Sequence, residues 1–201
     1  MVALRCWSQP ATEGILFSRN LRFEQLTDDD GLSNAFVTCM YQDEKGFLWL
    51  GTANGLNRFD GYQFKSWIPE KNNPQSLSHN EVWSLCGSSD GTIWVGTANG
   101  LNRFDPKRER FTRYYNDPSN QYSLSHNFVH AIYEDSDGNI WIGTGNGLSL
   151  LKKDSSRFIR YRYSPGKEGN SVRCIVGDET GLIWFGFMDT LFSLQPYSKI
   201  I

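Results

Sequence analysis

A repeated unit of about 45 residues is the feature that most constrains how this chain can fold. The run Asp90 to Asp105 occurs almost unaltered at Lys45 to Asp60 and at Asp137 to Leu151, and in an altered form from Thr180 to Leu194. Tryptophans mark one place in every copy, with separations of 45, 47 and 43 residues: Trp49, Trp94, Trp141 and Trp184. Valines keep the same separations: Val37, Val82, Val129 and Val172. Since a fixed period decides the architecture, the chain is predicted to be one repeat array.

Each unit contains short runs with the composition and length of β-strands. In the second copy they are Val82–Cys86, Thr92–Thr97, Leu101–Phe104 and Arg110–Tyr114. Asp90-Gly91 and Asn99-Gly100 lie between them, where glycine supplies the positive φ of a tight hairpin turn. No window has a convincing 3.6-residue apolar period, so almost no helix is expected.

The second predicted strand of each unit is apolar or small on both faces. Trp94 and Gly96 alternate with Ile93, Val95 and Thr97. A sheet of this kind must pack between copies of itself, and its radial repetition gives the blades of a β-propeller. We therefore predict an all-β propeller array of about four blades, each a four-stranded antiparallel sheet, and disfavour a linear β-solenoid. The structural positions are the tryptophans and the glycines two residues after them, Gly51, Gly96, Gly143 and Gly186.

The repeat also predicts the domain boundaries. Residues 1–22 are assigned to a leader or linker, and Phe23 to Leu26 to an isolated fourth strand. The predicted blades cover residues 37–67, 82–114, 129–161 and 172–201. The fourth strand of the last blade would begin only at Ile201, so a closed ring of four would need Phe23 to Leu26 as its missing strand. We favour the alternative, an incomplete propeller cut from a longer array.

Composition narrows the classes of function. The chain is 39% hydrophobic and 14% aromatic, as globular domains are, and its net charge of -2 gives no reason to expect nucleic acid or an anionic membrane. The cysteines lack zinc-site spacings and are expected to be free, buried thiols: Cys6, Cys39, Cys86 and Cys174. No segment approaches the ~18 apolar residues of a membrane helix, and the start lacks a complete signal peptide.

Several motifs that resemble active or metal sites are better explained by the repeat. Asp135 to Asn139 has part of a calcium-loop pattern, but position 133 is Tyr, so a hairpin turn is predicted. His79 and His126 occupy equal places in two units and are assigned to loop packing. Ser78 and Ser125 lack a nucleophile elbow and are assigned to turns. No catalytic constellation, metal site or cofactor is expected.

One position departs from the repeat where its neighbours do not. The second residue of each first strand is Thr38, Trp83, His130 or Arg173. The first strand is the innermost in a propeller, so these side chains are predicted to line the channel and to contact a ligand. Aromatic, imidazole and guanidinium groups suit stacking on a sugar ring and pairing with a carboxylate or sulfate. The adjacent Glu81 and Phe128 are weaker candidates. Unselected variation at a solvated channel is the alternative.

The lead-in Leu26 to Ser33, with the core Gly46 to Thr52 and the run Gly55 to Gly61, resembles a known repeat. It is similar to the two-component regulator propeller repeats in the extracytoplasmic sensors of bacterial hybrid histidine kinases. The fourth unit departs from that pattern, with Phe187 and Thr190 in place of Thr and Gly.

The resemblance implies a non-catalytic, ligand-sensing module in the periplasm or outside the cell. Its expected partners are an oligosaccharide or similar solute and, in the same chain, further blades and signalling domains, with a homodimer as a further expectation. Three alternatives stay open: a propeller lyase or hydrolase, a protein-interaction platform, and the sensor of a diguanylate cyclase.

Overall fold

Glycine-containing turns join short strands into four antiparallel meanders in the computed structural model, which describes residues 25–162, 170–187 and 190–195. Blade 1 consists of β1 Val37–Gln42, β2 Leu48–Thr52, β3 Gly55–Phe59 and β4 Phe64–Trp67. Blade 2 consists of β5 Val82–Gly87, β6 Ile93–Thr97, β7 Gly100–Asp105 and β8 Arg110–Tyr114. Blade 3 consists of β9 Val129–Glu134, β10 Ile140–Thr144, β11 Gly147–Leu151 and β12 Phe158–Tyr161. Blade 4 has β13 Cys174–Gly177, β14 Ile183–Gly186 and β15 Leu191–Leu194 among the described residues.

The predicted all-β propeller fold is confirmed. Strands pair in sequence order in every blade, and one short 3-10 turn, Asp28–Asp30, is the helical element of the described residues. The predicted isolated strand is not seen as such: Gln25 and Leu26 lie in no strand, and residues 23 and 24, like the predicted leader, fall outside the described residues. Cys39 and Cys86 are half-buried free thiols, whereas Cys174 is exposed, contrary to its prediction as a buried thiol.

Packing between consecutive blades forms three hydrophobic cores. In each core the tryptophan of one blade meets the valine and the second strand of the next blade, as Trp94 meets Val129 and Ile142. The first strands of neighbouring blades, β1, β5, β9 and β13, lie side by side along the array. Among the described residues, none of the three cores joins blade 1 to blade 4, so the array is an open series of blades.

The tryptophan, valine and glycine positions of the repeat form one contact. Gly96 carries no side chain where the next blade comes closest, and a Cβ placed there would lie 2.6 Å from Val129 Cγ1 and would also overlap Ser84 Oγ. Gly51 and Gly143 meet Val82 and Val172 in the same way. The valine can therefore be fully buried only because the preceding blade has glycine opposite it.

The first strands of blades 1 to 3 contain a β-bulge at their second residue. The pairing register shifts between Val82 and Ser84, and the equivalent shift occurs in β1 and β9. Without the extra residue, the period-two alternation of a strand would place Val82 and Leu85 on opposite faces. The bulge instead lets both contribute to the core with blade 1. Trp83 is the extra residue, and its side chain is not part of the packed surface on either face of the blade.

Polar residues of the repeat satisfy buried groups within each blade. Ser78 Oγ lies 3.0 Å from Thr97 Oγ1, and Asn102 Nδ2 donates to Ser78 Oγ at 2.9 Å. The same bonds recur in the first blade, and a serine replaces the asparagine in the third. Ser78, predicted to be a turn residue, thus ties the segment before a first strand to the middle of its own blade.

The acidic turn at Asp135 is a hairpin turn between β9 and β10, as its sequence predicted. The Asp135 carboxylate accepts hydrogen bonds from the backbone of Asp137 and Asn139 and, at 2.9 Å, from Trp141 Nε1. The equivalent Asp178 accepts from Thr180 and Trp184, and these bonds lower the pKa of Asp178 to about 2. The oxygens that would hold a cation are used to orient the tryptophan.

Substituting Gly96 with alanine tests the dependence on close blade contact. The new methyl group collides with Val129 of the next blade, so Gly96→Ala should lower the free energy of unfolding by about 1–3 kcal/mol in urea titrations. Gly186→Ala is the matched control, because a Cβ there meets only Cys174 Sγ, at 2.6 Å, among the described residues. Equal losses for the two variants would contradict this account.

Candidate functional site

The bulges of blades 1 to 3 fall at three of the predicted contact residues, Thr38, Trp83 and His130. Because a bulged residue is left out of the regular alternation, its side chain leaves the packed faces of the sheet. The side chain of Trp83 is 37% exposed, whereas that of the preceding Val82 is completely buried. His130 is half-buried, and Arg173, just before β13, is exposed while its backbone N–H donates to Gly186 O at 3.0 Å.

Three of the six predicted residues form a continuous row across blades 2 and 3. The rings of Trp83 and Phe128 have centroids 5.6 Å apart, and those of Phe128 and His130 are 4.4 Å apart with an interplanar angle of 34°. These separations are typical of attractive aromatic pairs. The row presents an aromatic surface that belongs to no inter-blade core.

Cationic groups surround the end of this row. Burial, followed by the positive charge of Arg173 and the proximity of His126, lowers the pKa of His130 to about 4. The imidazole is therefore neutral at pH 7, and the charge at this end of the site is that of the Arg173 guanidinium. A neutral ring next to an exposed cation can bind both the face of a ligand and an acidic group on it.

Thr38 and Glu81 do not join the row. Thr38 Oγ1 donates to Gly51 O, at 2.9 Å, and to Val82 O, so its hydroxyl links blade 1 to blade 2. Glu81 is exposed, and its backbone N–H donates to His79 Nδ1 at 3.1 Å.

Sequence reasoning did not single out Phe36. This residue precedes the first valine as Phe128 precedes the third, and it is 63% exposed. Because Phe36 and Phe128 occupy equivalent positions of the repeat, this equivalence could have identified Phe36. His126, assigned to loop packing, has that role, since its Nδ1 accepts a hydrogen bond from the Phe128 N–H at 3.0 Å. His126 also contributes to the lowered pKa of His130.

Clefts of about 610, 570 and 330 Å³ lie elsewhere on the blades. The first lies beside β7 and β8, where Arg103 is paired with Asp90. The third lies between the turns of blades 1 and 2, and there the Arg58 guanidinium stacks 4.6 Å from the centre of the Phe47 ring. None of these three clefts is lined by a predicted contact residue.

The part of the chain that the structure describes contains no group of three or more His, Cys, Asp or Glu side chains placed to hold a metal ion. Its single helical turn is far too short to cross a bilayer, and no membrane-spanning helix is found among the described residues.

Comparison with known proteins identifies the repeat. The family model described as "Two component regulator propeller" matches residues 31–54, 76–99 and 123–146, which are the lead-in and first two strands of blades 1 to 3. The chain carries two-component regulator propeller repeats. This confirms the resemblance inferred from the sequence, and the matched segments end at the hairpin asparagines Asn54, Asn99 and Asn146.

Proteins with similar repeats include sensory proteins. "Histidine kinase P4" of Formosa agariphila is 46% identical over 56 residues, which are 28% of this chain and 4% of that protein. A crystal structure described as the extracellular domain of a hybrid two-component system of B. thetaiotaomicron superposes with a TM-score of 0.69 at 26% identity. That match covers 86% of this chain and 30% of the other. The chain therefore spans a small part of the length of either relative.

Propeller enzymes share the fold. A catalytically inactive virginiamycin B lyase from Staphylococcus aureus, solved with quinupristin, superposes with a TM-score of 0.59 at 17% identity. The match covers 82% of this chain and 57% of the lyase. At this identity the likeness extends to the fold alone.

The environment of His130 gives a prediction about pH. The folded pKa of about 4 lies below the ordinary value of 6.5, so His130 contributes stability that is complete above pH 6.5 and is lost as the pH falls towards 4. The melting temperature of the wild type should therefore fall more between pH 7 and 4.5 than that of His130→Gln. An NMR titration of Arg173→Gln should show the His130 pKa raised. An unchanged His130 pKa in Arg173→Gln would place the guanidinium away from the imidazole.

Proposed function

We propose that this chain is a ligand-recognition module of a bacterial two-component sensor, with its binding surface on the inner strands of blades 2 and 3. The row formed by Trp83, Phe128 and His130 is the observation that carries this proposal. The three rings occupy bulged or adjacent positions, remain accessible, and contribute to no core. Exposed aromatic side chains outside the packed regions are typical of binding surfaces.

The proposed ligand is an oligosaccharide or a similar extracellular solute that carries an acidic group. A sugar ring offers an apolar face to the indole of Trp83, while the hydroxyls at its edge remain in water. The exposed Arg173 provides a planar donor fork that suits a carboxylate or sulfate, and the neutral His130 beside it can donate or accept one hydrogen bond. A flat, half-exposed site of this kind fits one or two sugar units better than a small buried metabolite.

A binding role suits the chemistry of His130 better than a catalytic one. Burial and the neighbouring Arg173 guanidinium disfavour the protonated form of this imidazole. A general base near neutral pH requires a pKa close to the working pH, and about 4 is too low. The alternative of a propeller lyase or hydrolase has no comparable support among these residues.

The relatives support a proposal for the setting of the module. An extracellular domain of a hybrid two-component system and a histidine kinase carry similar repeats. We therefore propose an extracytoplasmic location for this module, with the remaining blades and the signalling domains supplied by the same polypeptide. Ligand binding across blades 2 and 3 would then change the relative placement of neighbouring blades, which is the movement that a sensor can transmit.

Binding measurements with matched variants test the site. A thermal-shift screen of neutral, uronic-acid and sulfated oligosaccharides should identify ligands that raise the melting temperature. In calorimetry with such a ligand, Trp83→Ala should weaken binding by roughly tenfold or more. Arg173→Gln should weaken the binding of acidic ligands and leave neutral ones nearly unchanged.

Tyr62→Ala is the control, because Tyr62 is 96% exposed and lies outside the row. Affinities of Trp83→Ala and Arg173→Gln equal to those of the wild type and Tyr62→Ala would refute this site.

A further inference from the structure

The cleft of about 330 Å³ between the turns of blades 1 and 2 is a second candidate site. It is lined by the turn between β1 and β2, the turn between β5 and β6, and the start of the turn after β7. Trp83 is the second residue of β5, whereas residues 88–91 follow the last residue of that strand. The cleft therefore lies at the opposite ends of the strands from the aromatic row. Both blades that form it are among the described residues, so it belongs to an internal junction of the array.

Two equivalent arginines differ at this junction. Arg58 occupies in blade 1 the place that Arg103 occupies in blade 2, opposite the tryptophan of its own blade. The two guanidinium groups lie 5.9 and 5.8 Å from the centres of these tryptophan rings. In blade 2, Arg103 Nε donates to Thr92 Oγ1 at 3.2 Å, and Nη2 is paired with the Asp90 carboxylate. The repeat thus provides a complete set of acceptors for one of the two arginines.

Blade 1 lacks both of these acceptors. Lys45 and Phe47 stand where blade 2 has its acid and its hydroxyl. The half-buried Arg58 stacks 4.6 Å from the centre of the Phe47 ring, but its Nε is buried without a hydrogen-bond partner among the described residues. None of the ion pairs found among those residues includes Arg58. Stacking stabilises the face of a guanidinium and leaves its N–H groups without the acceptors that burial requires.

The acidic side chains around the cleft do not replace the missing acceptor. Asp43 accepts from two backbone N–H groups of its own turn and from the indole N–H of blade 1. Asp90 is paired with the arginine of its own blade, and Glu44 is exposed. The backbone N–H groups of Gln63 and Tyr62 bind the Asp60 carboxylate and lower its pKa more than the Arg58 guanidinium does. An acceptor for Arg58 would have to come from a ligand.

From this comparison we infer that the cleft binds a small carboxylate ligand. Its carboxylate takes at Arg58 the place that Asp90 takes at Arg103. A planar guanidinium matches a planar carboxylate better than it matches other anions, because two donors can be used together. The exposed Lys45 and Lys107 also line the cleft and add positive charge at its entrance. This inference is independent of the proposal for the aromatic row.

The lining and size of the cleft indicate the rest of the ligand. Tyr41, Phe47 and Ile93 provide apolar surface beside the guanidinium. A volume of about 330 Å³ is at the lower end of the range for ligand pockets and suits a single ring. We therefore expect an aromatic or otherwise apolar acid, such as a benzoate, and not an extended oligosaccharide.

Titration of the whole chain with benzoate at low ionic strength tests the site. Heteronuclear NMR should show millimolar binding, with shifts of the Arg58 Nε–H signal and of the backbone amides of Ser89 and Gly91. Benzyl alcohol has the ring without the charge, and acetate has the charge without the ring. Each should bind roughly tenfold more weakly than benzoate, because it uses only half of the proposed contacts.

Substitution of the arginine locates the contact. Arg58→Gln should weaken benzoate binding by roughly tenfold or more, since it removes the charge and the planar donors. Arg157→Gln is the matched control, because the Arg157 guanidinium also stacks on a ring, 4.9 Å from the centre of Tyr122, but lies outside this cleft. It should bind benzoate as the wild type does.

A second variant separates loss of binding from loss of folding. Lys45→Asp combined with Phe47→Thr gives blade 1 the two acceptors that Arg103 has in blade 2. Because the new carboxylate would occupy the place of the ligand, this double variant should lose benzoate binding. Its melting temperature should be no lower than that of Phe47→Thr alone, since the guanidinium gains an internal partner.

Three results would overturn the inference. They are the absence of benzoate binding at millimolar concentration, equal affinities for benzoate and benzyl alcohol, and benzoate binding that Arg58→Gln or the double variant does not weaken. None of them depends on whether the aromatic row binds a saccharide, so the two proposals can fail separately.

Discussion

The structure depends on the contact between a glycine in one blade and a valine in the next. A sheet of three or four short strands that is apolar on both faces cannot be stable alone, since it would leave too much apolar surface in water. Gly51, Gly96 and Gly143 let the following valine approach the backbone closely, and the tryptophans fill the space around this contact. Stability is therefore distributed over the junctions between blades more than within any blade.

The bulge of the first strand connects this packing to the proposed binding surface. A regular strand could bury either Val82 or Leu85 against the preceding blade, and the extra residue between them lets both be buried. The extra residue has no place in the core and is directed to the inner surface. Because packing does not constrain the identity of this bulged residue, its side chain can be one that suits recognition. The aromatic row at Trp83, Phe128 and His130 thus lies where the fold provides accessible positions on a rigid framework.

Repeat arrays share a general difficulty at their ends, because every blade has faces that require a neighbour. Each face between consecutive blades of this chain is covered by its neighbour. Tyr41 lies over Gly87, and Tyr133 over Gly177, which indicates that side-chain size is matched at these junctions. Such matching would fix the order in which the blades can pack.

The sequence by itself determined the structure of a blade. Strand period, hairpin glycines and the spacing of tryptophans and valines are local properties that can be read directly from the order of the residues. It also singled out Trp83, His130 and Arg173, since these break a repeat that packing otherwise enforces. Only the tertiary structure decided that Thr38 is bonded between two blades, that Phe36 is exposed, and that Cys174 lies on an uncovered face. Those outcomes depend on which groups of a neighbouring blade contact each position. Equivalent positions of a repeat look alike in the sequence, whether or not a neighbouring blade contacts them.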